Sequence, residues 1–455
     1  FLARAVSLPI FGKLADLFKN RSLFIGSIVL FGLSSAAAGC AVNMITLIMA
    51  RVVQGVAAGG IFALVYIVLA DVSSPETRGR TLSLASSIWG IASVLGPTLG
   101  GFIVTYFSWR WIFFINIPLG AVSVWGIGTY LVELRPKKTN VSLDFLGVAT
   151  LSTAILAFLF AFLLGGRTYP WMSERIIGLF AVFIIGTAAF IRVELRAQDP
   201  ILPMALFRNR GFSAGNTAVF LSSFAIFSMF AYAPLFIQGV QGKSPMEVGV
   251  AMLSLSLGWS IGSIALGQVI DRMGRKFVAV AGALCLVGGC AMTLAFRPET
   301  TAYYSFAAFF VIGIGMGFVA LATLLVVQTA VSPQDLGVAT ASNQFARTLG
   351  GTVGVGIGGS FIAARFAELA QAVQDRGLLE GLPPGLADKG LDQLEGLLRP
   401  EVLSALPDEI RLWVQASVGQ GVTEVFWTVL VAAIMCLLCC ALIPQGFSSG
   451  RHRKP

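Results

Sequence analysis

Two segments of the chain share one pattern and begin 255 residues apart. Residues 12–21 are GKLADLFKNR, and residues 267–276 are GQVIDRMGRK. Largely apolar runs flank the second segment at 247–269 and 277–296, and each has about the length that a helix needs to cross a bilayer. We therefore predict that both segments are short connections between membrane-spanning helices, on the same side of the membrane.

The composition of the whole chain also indicates a membrane protein. Of its 455 residues, 56% are hydrophobic and only 12% are charged, about half of the roughly 25% typical of soluble domains. The mean hydropathy is +0.84. These values exclude an ordinary soluble enzyme, a disordered tail and a coiled coil. They predict an all-α integral membrane protein, built as a polytopic helical bundle.

Further apolar runs extend in both directions from the two segments. A bilayer-spanning helix needs about 20 predominantly apolar residues. By this criterion we predict thirteen spans, the first of them partial, at 1–12, 22–41, 44–70, 82–106, 111–132, 142–163, 175–193, 212–237, 247–269, 277–296, 303–328, 340–364 and 422–444.

Basic residues fall in every second connection between these spans and in the C-terminal tail. Short basic loops face the cytoplasm in membrane proteins, so we expect these connections and the C-terminus to be cytoplasmic. The same distribution accounts for the net charge of +9 without a nucleic acid partner. The alternation places Phe1 outside, which predicts one span before it and fourteen in the complete protein. The segment 365–421 then lies outside, as either a regulatory lid or a solvated insertion.

The second of the two repeated segments carries a recognisable signature. It matches G-x-x-x-D-[RK]-x-G-[RK]-[RK], the loop pattern of the major facilitator superfamily, at Gly267, Asp271, Arg272, Gly274 and Arg275. The chain therefore resembles this superfamily, in which two helical halves are related by an internal repeat. The resemblance implies that the loop latches one conformation of the transporter.

The first segment keeps only part of the signature. Gly12, Asp16 and Arg21 are in place. Leu17, Lys19 and Asn20 stand where Arg, Gly and Arg are usual. Glycine allows helices to approach closely, and the aspartate either caps a helix start or pairs with a neighbouring arginine.

Two further motifs agree with the resemblance. The pattern L-x-x-x-R-x-x-Q-G occurs at residues 47–55 and contains Arg51 and Gln54. Residues 96–101, GPTLGG, resemble the motif associated with antiporters. Here Pro97 removes a backbone donor, while Gly96, Gly100 and Gly101 thin the helix. Together they permit bending and close helix contact, with simple small-residue packing as the alternative.

Three shorter strings resemble the fourteen-span drug/proton antiporter branch of the superfamily. They are WRWIFFINIP at 109–118, DFLG at 144–147 and LFRN at 206–209. That branch has two extra central spans. The resemblance therefore implies an N-terminal half at 1–132, two linking spans with their loops at 133–211, and a C-terminal half at 212–455 that contains the insertion 365–421.

Several polar residues inside the predicted spans are candidates for the transport path. The resemblance implies that Arg51 tunes the proton affinity of a carboxylate, with Gln54 beside it; a snorkelling arginine and polar packing are the alternatives. Arg347 precedes a glycine-rich run, which suggests a position at a central cavity or at the membrane interface, and Arg4 in the first span raises the same question. Asn116 either lines the substrate path or bridges two helices. The same alternatives apply to Asn216, Gln328, Asn343 and Gln344.

The predicted spans contain no carboxylate near their midpoints. Acidic residues lie near span ends, at Asp71, Glu133, Asp144, Glu194, Glu247 and Asp271. A proton antiporter needs a group that gains and loses a proton, and a buried carboxylate is the natural choice. Either that group lies in the span expected before Phe1, or an acid at a span end serves instead.

These observations predict a proton-coupled secondary transporter that exports amphipathic drugs or similar small molecules by alternating access. No metal or organic cofactor is expected. The only histidine is His452, and the CxxCC string at Cys436, Cys439 and Cys440 lies in an apolar helix without a histidine or acidic companion. The expected partners are a small amphipathic substrate, protons and the lipid bilayer, and we expect a monomer in the plasma membrane. Alternatives are an exporter or uptake carrier of an endogenous metabolite and, as a different class, a membrane receptor or enzyme.

Overall fold

The computed structural model describes residues 1–74, 77–132, 144–375 and 408–444, and these ranges contain helices and no strand. Every predicted span coincides with a helix, so the predicted all-α architecture is confirmed. The helices are α1 (Leu2–Leu17), α2 (Asn20–Gly39), α3 (Met44–Val72), α4 (Arg78–Tyr106), α5 (Trp111–Phe114), α6 (Asn116–Tyr130), α7 (Phe145–Leu164), α8 (Glu174–Glu194), α9 (Arg210–Gly239), α10 (Pro245–Met273), α11 (Arg275–Thr293), α12 (Ala302–Thr329), α13 (Leu336–Asp375) and α14 (Asp408–Ala441).

Most of these helices have the dimensions of membrane spans. Within the described ranges, eleven are long and apolar enough to cross a bilayer, with α5 and α6 counted together as Trp111–Tyr130. The other two predicted spans are α1, which has 16 residues, and α4. Large apolar side chains such as Val122, Trp125, Ile184 and Ile185 are exposed on α6 and α8. In a membrane protein these side chains face lipid.

Polar residues between the apolar runs determine where several helices begin. Asn43 precedes α3 and accepts a hydrogen bond from the backbone of Thr46, which bonds back in a capping box. Ser244 and Glu247 form the same reciprocal arrangement at the start of α10. Such caps satisfy backbone N–H groups that have no partner within the helix. The starts of α3 and α10 are therefore encoded locally, independently of the bundle.

The helices pack into two groups joined at two crossings. In the first group α1 and α2 lie on α3, α2 also contacts α6, and α4 contacts α3. In the second, α9 to α14 enclose a core that includes Trp259, Phe309 and Phe426. The groups meet where α1 crosses α13 and where α4 crosses α10. Helices α7 and α8 form a pair, and α7 contacts both α1 and α13.

The two helices that border the long insertion extend further than predicted. We expected spans at 340–364 and 422–444, whereas α13 has 40 residues and α14 has 34. A helix of 40 residues is about 60 Å long, twice the thickness of the bilayer core. Arg365 forms ion pairs with Glu424 and Glu368, which satisfies its charge as the helices continue past the apolar run. Of the predicted insertion 365–421, residues 376–407 lie outside the described ranges.

Candidate functional site

A cavity of about 320 Å³ lies among α1, α3, α7, α9 and α13. Its size is at the lower end of the range for small-molecule sites. Its walls are largely aromatic and aliphatic, with Phe1, Phe62, Phe162, Leu163, Phe227 and Val355. Its polar side chains are Arg4, Arg167, Arg347, Thr348 and Thr352. No carboxylate is among the described residues that line it.

Arg347 is the most deeply buried of the charged residues that line the cavity. Its side chain on α13 is 6% exposed. The guanidinium donates a hydrogen bond to the Tyr66 hydroxyl of α3 and lies 4.8 Å from the ring centroid of Trp259 on α10. The Arg347 side chain thus contacts both groups of helices. An arginine is tolerated here because a hydrogen bond and a cation–π contact replace part of its hydration.

Arg4 lies on the opposite wall of the cavity, on α1. Its guanidinium carbon is 4.9 Å from the ring centroid of Phe62 and 5.3 Å from that of Phe1. Its Nε is buried and has no hydrogen-bond partner among the described residues. The sequence left Arg4 with the same two positions as Arg347, a central cavity or the membrane interface. The structure shows that its charged group faces the same space as Arg347.

Arg167 reaches the cavity from a tight turn that follows α7. Gly166 has a φ of +70°, a conformation that favours glycine, and its N–H donates to the carbonyl of Tyr169 at 2.8 Å. The turn returns the chain over the end of α7 and places Arg167 at the rim. Sequence reasoning missed this residue because it follows the apolar run. The Gly165-Gly166 pair was the available signal of a turn there.

Asn343 and Gln344 continue the cavity-lining face of α13, about one turn below Arg347. Both side chains are 1% exposed. Among the described residues, neither amide atom of Asn343 has a hydrogen-bond partner, and Oε1 of Gln344 has none either. Buried polar atoms are normally paired with protein groups or with ordered water. These side chains form a polar strip that leads from the cavity towards the repeated segments.

Both repeated segments lie at one end of the bundle, which we call the repeat end. A Cβ atom placed on Gly12 would overlap the Cβ of Ala341, where α1 crosses α13. A Cβ atom on Gly267 would lie 2.7 Å from the Cβ of Ser83, where α10 crosses α4. The first glycine of each copy therefore permits one of the two crossings. Because both crossings are tight, the cavity is closed towards the repeat end.

The aspartate of the first copy strengthens one of these crossings. Asp16 accepts hydrogen bonds from the backbone N–H groups of Gly337 and Val338, at 2.8 Å each. Its carboxylate therefore caps the start of α13, which is favoured by both the free N–H groups and the helix dipole. Nearby, Arg21 donates to the carbonyl of Gly128 at the end of α6.

The second copy is described only in part. Gly274 has a φ of +84° and ends α10, and Arg275 donates to the Thr329 hydroxyl at 2.9 Å. The side chains of Asp271 and Arg272 lie outside the described residues, as does that of Pro97. Helix α4 continues without interruption past residue 97. In the same motif, Gly96, Gly100 and Gly101 have no atom of the described residues within 4 Å of a Cβ built on them.

Most of the predicted transport residues are not among the described residues that line the cavity, namely Arg51, Gln54, Asn116, Asn216, Gln328, Asn343 and Gln344. Arg51 donates to Gln54 at 2.8 Å and lies 5.6 Å from the ring centroid of Phe113. Asn116 donates to the Ser35 hydroxyl at 3.0 Å and so links α6 to α2. In this conformation the Arg51 and Asn116 side chains tie helices of the N-terminal half together.

Two carboxylates approach each other where α7 begins and α8 ends. Glu194 is 4% exposed and accepts hydrogen bonds from the backbone N–H groups of Ile201 and Leu202, at 3.1 and 3.3 Å. Asp144 caps α7, and its Oδ2 is buried with no hydrogen-bond partner in the part of the chain that the structure describes. Both carboxylates border Gly147. Lys13 of the first repeated segment is the basic residue whose charge acts on Glu194.

Comparisons with known proteins agree with this architecture. The family model of the Major Facilitator Superfamily matches residues 1–355. The chain is 33% identical over 451 residues to the multidrug transporter protein MdtP of Bacillus subtilis (strain 168), with 94% of this chain and 82% of that protein covered. It is 29% identical to multidrug resistance protein 3 of the same organism, with 95% and 84% covered.

A fungal relative and a solved structure extend the comparison. The chain is 29% identical to the efflux pump dotC of Dothistroma septosporum (strain NZE10 / CBS 128990), with 99% of this chain and 77% of the pump covered. Its fold is similar to that of the human organic anion transporter MFSD10 (TETRAN), with a TM-score of 0.59, 14% sequence identity, and 95% and 81% covered. Together with the two crossings and the repeated segments, these matches show that the chain belongs to the major facilitator superfamily of multi-pass membrane transporters.

Proposed function

We propose that the chain is a proton-coupled exporter of small amphipathic molecules that works by alternating access. The observation that carries this proposal is the cavity between the two halves, closed at the repeat end by the Gly12 and Gly267 crossings. Three relatives are named as a multidrug transporter, a multidrug resistance protein and an efflux pump. These names support drugs or similar compounds as cargo.

Alternating access requires a second conformation in which the repeat end is open. The polar strip supports such a state, because Asn343 and Gln344 would line a continuous path once the α1–α13 crossing separates. Their hydrogen-bonding groups, unused when the crossing is closed, would then contact water or cargo. A two-state transporter needs contacts that are strong enough to close one end but few enough to break. The Gly12 crossing and the Asp16 cap have that character.

For the proton, we propose the pair formed by Asp144 and Glu194, an acid site at the span ends. Two carboxylates that share a site readily hold one proton between them. The charge of Lys13, in the same segment as Gly12 and Asp16, acts on Glu194. Protonation of Glu194 would weaken this attraction and so would act on the crossing that closes the repeat end.

The remaining parts of the proposal concern placement. We propose a monomer in the plasma membrane, with the repeat end and the C-terminus in the cytoplasm, as the basic connections indicate. We also assign the chain to the fourteen-span drug/proton antiporter branch. In this assignment α7 and α8 are the two additional central spans, which agrees with their position as a pair beside α1 and α13.

The direct test uses purified protein in proteoliposomes with an imposed pH gradient. Addition of a transported amphipathic compound should accelerate the collapse of the gradient. The variant Glu194→Gln should transport cargo down its concentration gradient but release no protons, because the paired site loses its titrating carboxylate. Glu174→Gln is the matched control, since Glu174 is exposed at the other end of α8.

The outcomes separate the parts of the proposal. Cargo movement without proton movement in the unmodified protein would reject proton coupling and leave a facilitator. Full coupling in Glu194→Gln would reject the Asp144–Glu194 pair as the proton site. Inward movement of every transported compound, at either orientation of the pH gradient, would reject export and favour an uptake carrier.

A further inference from the structure

Three arginine side chains reach one cavity whose described lining has no carboxylate. Arg347 lies at the most buried part, Arg4 on the facing wall and Arg167 at the rim. Arg4 and Arg347 are close enough for their charges to repel each other. The three guanidinium groups give the lining a positive charge in a largely apolar setting. A bound anion would balance that charge.

The hydroxyl groups of the lining agree with this assignment. Thr348 donates its hydroxyl hydrogen to the carbonyl of Gln344 at 2.9 Å, and Thr352 donates to that of Thr348 at 3.0 Å. Both hydrogens are therefore used within α13. The charged donors of the cavity are the guanidinium groups, which pair best with oxyanions.

The apolar walls of the cavity select the uncharged part of the bound anion. Phe62 stacks beneath Arg4, while Phe162 and Phe227 form apolar surfaces that face the same space. Aromatic faces of this kind pack well on planar rings. A volume of about 320 Å³ holds a ring system of modest size.

We infer that the cavity selects aromatic anions, meaning a planar ring system that carries one acidic oxyanion. This inference rests on the proposed export function and names its substrate class. Arg347 binds the oxyanion at the bottom of the cavity, Arg4 binds it from the facing wall, and the phenylalanines hold the rings. Arg167 attracts the anion at the rim. A lipophilic cation of the same shape is repelled by all three guanidinium groups.

The test compares three probes that have the same rings and different charge. They are 1-naphthoate, 1-naphthylmethanol and 1-naphthylmethylammonium. Binding to the protein in lipid nanodiscs is measured by titration calorimetry, and uptake into proteoliposomes is measured with radiolabelled probes. We expect the anion to bind at least about 10-fold more tightly than the alcohol, as for one gained charge-assisted hydrogen bond. The cation should bind more weakly than the alcohol.

Variants then assign the preference to the arginines. Arg347→Gln and Arg167→Gln should each weaken binding of the anion and leave the alcohol unchanged, and Arg347→Lys should restore part of the affinity. Arg167 lies exposed in a turn, so its replacement tests the proposal even if Arg347→Gln fails to fold. Arg192→Gln, an exposed arginine near the end of α8, removes the same charge away from the cavity and should bind the anion normally.

Failure of this inference is distinguishable from failure of the proposed function. Equal or tighter binding of the cation, or anion binding that no cavity arginine affects, would overturn the anion assignment while drug export still stands. If neither the naphthalene probes nor any drug in a broad panel moves across the membrane, both proposals fail together.

Discussion

The carboxylate of Asp16 caps the helix that begins next to Gly337, although the two residues are 321 positions apart. Oδ1 accepts the N–H of Gly337, and Oδ2 accepts that of Val338, each at 2.8 Å. A helix start normally takes its cap from the residue just before it. Here the cap comes from the other half of the bundle, so it exists only while the two halves are together. The interaction is therefore specific to one conformation.

Loss of this cap should favour opening of the repeat end. In Asp16→Asn the side chain loses its charge and one of its two acceptor oxygens. An N-cap contributes about 0.5–2 kcal/mol, so the ratio of open to closed states should rise by roughly 2- to 30-fold. Electron–electron resonance distances between spin labels at Lys19→Cys and Gln334→Cys, both exposed positions, would report the change after Cys40→Ser.

The matched control for the cap is Asp335→Asn. Asp335 precedes α13 and accepts from the Ser332 hydroxyl at 2.8 Å, a contact within the same half. The variant Asp335→Asn removes the same charge near the same helix start without breaking a hydrogen bond between the halves. An equal shift in the two variants would show that net charge, rather than the cap, controls the conformation.

The Gly12 crossing should tolerate no side chain larger than hydrogen. In Gly12→Ala the new methyl group overlaps Ala341, which must separate α1 from α13. We expect the spin-label distance between positions 19 and 334 to shift as in Asp16→Asn, and we expect slower transport. The second change Ala341→Gly removes the atom that is overlapped and should restore much of the closed state, a coupling that a double-mutant cycle measures.

A glycine elsewhere in the N-terminal half controls for the loss of glycine itself. Gly26 on α2 has no atom of the described residues within 4 Å of a Cβ built on it. Gly26→Ala should therefore leave the distance between the two spin labels and the transport rate unchanged. Additive effects of Gly12→Ala and Ala341→Gly would argue against direct contact at the crossing.

Gly100 should affect transport without affecting the stability of the conformation described here. Its position on α4 is open, so Gly100→Ala should keep the free energy of unfolding within about 0.5 kcal/mol or raise it, as alanine favours helices. If the GPTLGG motif contacts another helix in the second conformation, transport should fall. Thermal unfolding and transport assays on one preparation test this, and normal transport would remove the motif from the mechanism.

Cys40 provides a natural test of orientation. It is the exposed cysteine of the described chain and lies between α2 and α3, at the end opposite the repeat end. With a cytoplasmic repeat end, a membrane-impermeant maleimide added to intact cells should label Cys40 rapidly. Cys40→Ser should abolish the signal. Labelling only after the cells are permeabilised would invert the proposed orientation.

The sequence by itself determined the helices and their approximate ends. Apolar runs such as 302–329 must form helices in a membrane, because only internal hydrogen bonds can satisfy the backbone there. Local caps such as Asn43 and Ser244 define where helices begin. The repeated segments with Gly12 and Gly267 indicated two related halves, because both the glycine and the aspartate recur at fixed spacing.

Only the tertiary structure decided what the polar side chains contact. The sequence left Asp16 either to cap a helix or to pair with an arginine, and the α1–α13 crossing selected the cap. Arg167 and Arg347 line one cavity, whereas Arg51 bonds to Gln54 and Asn116 bonds to Ser35. The direction of a side chain depends on the rotation of its helix about its axis. That rotation is set by packing against helices hundreds of residues away, and hydropathy along the chain does not contain it.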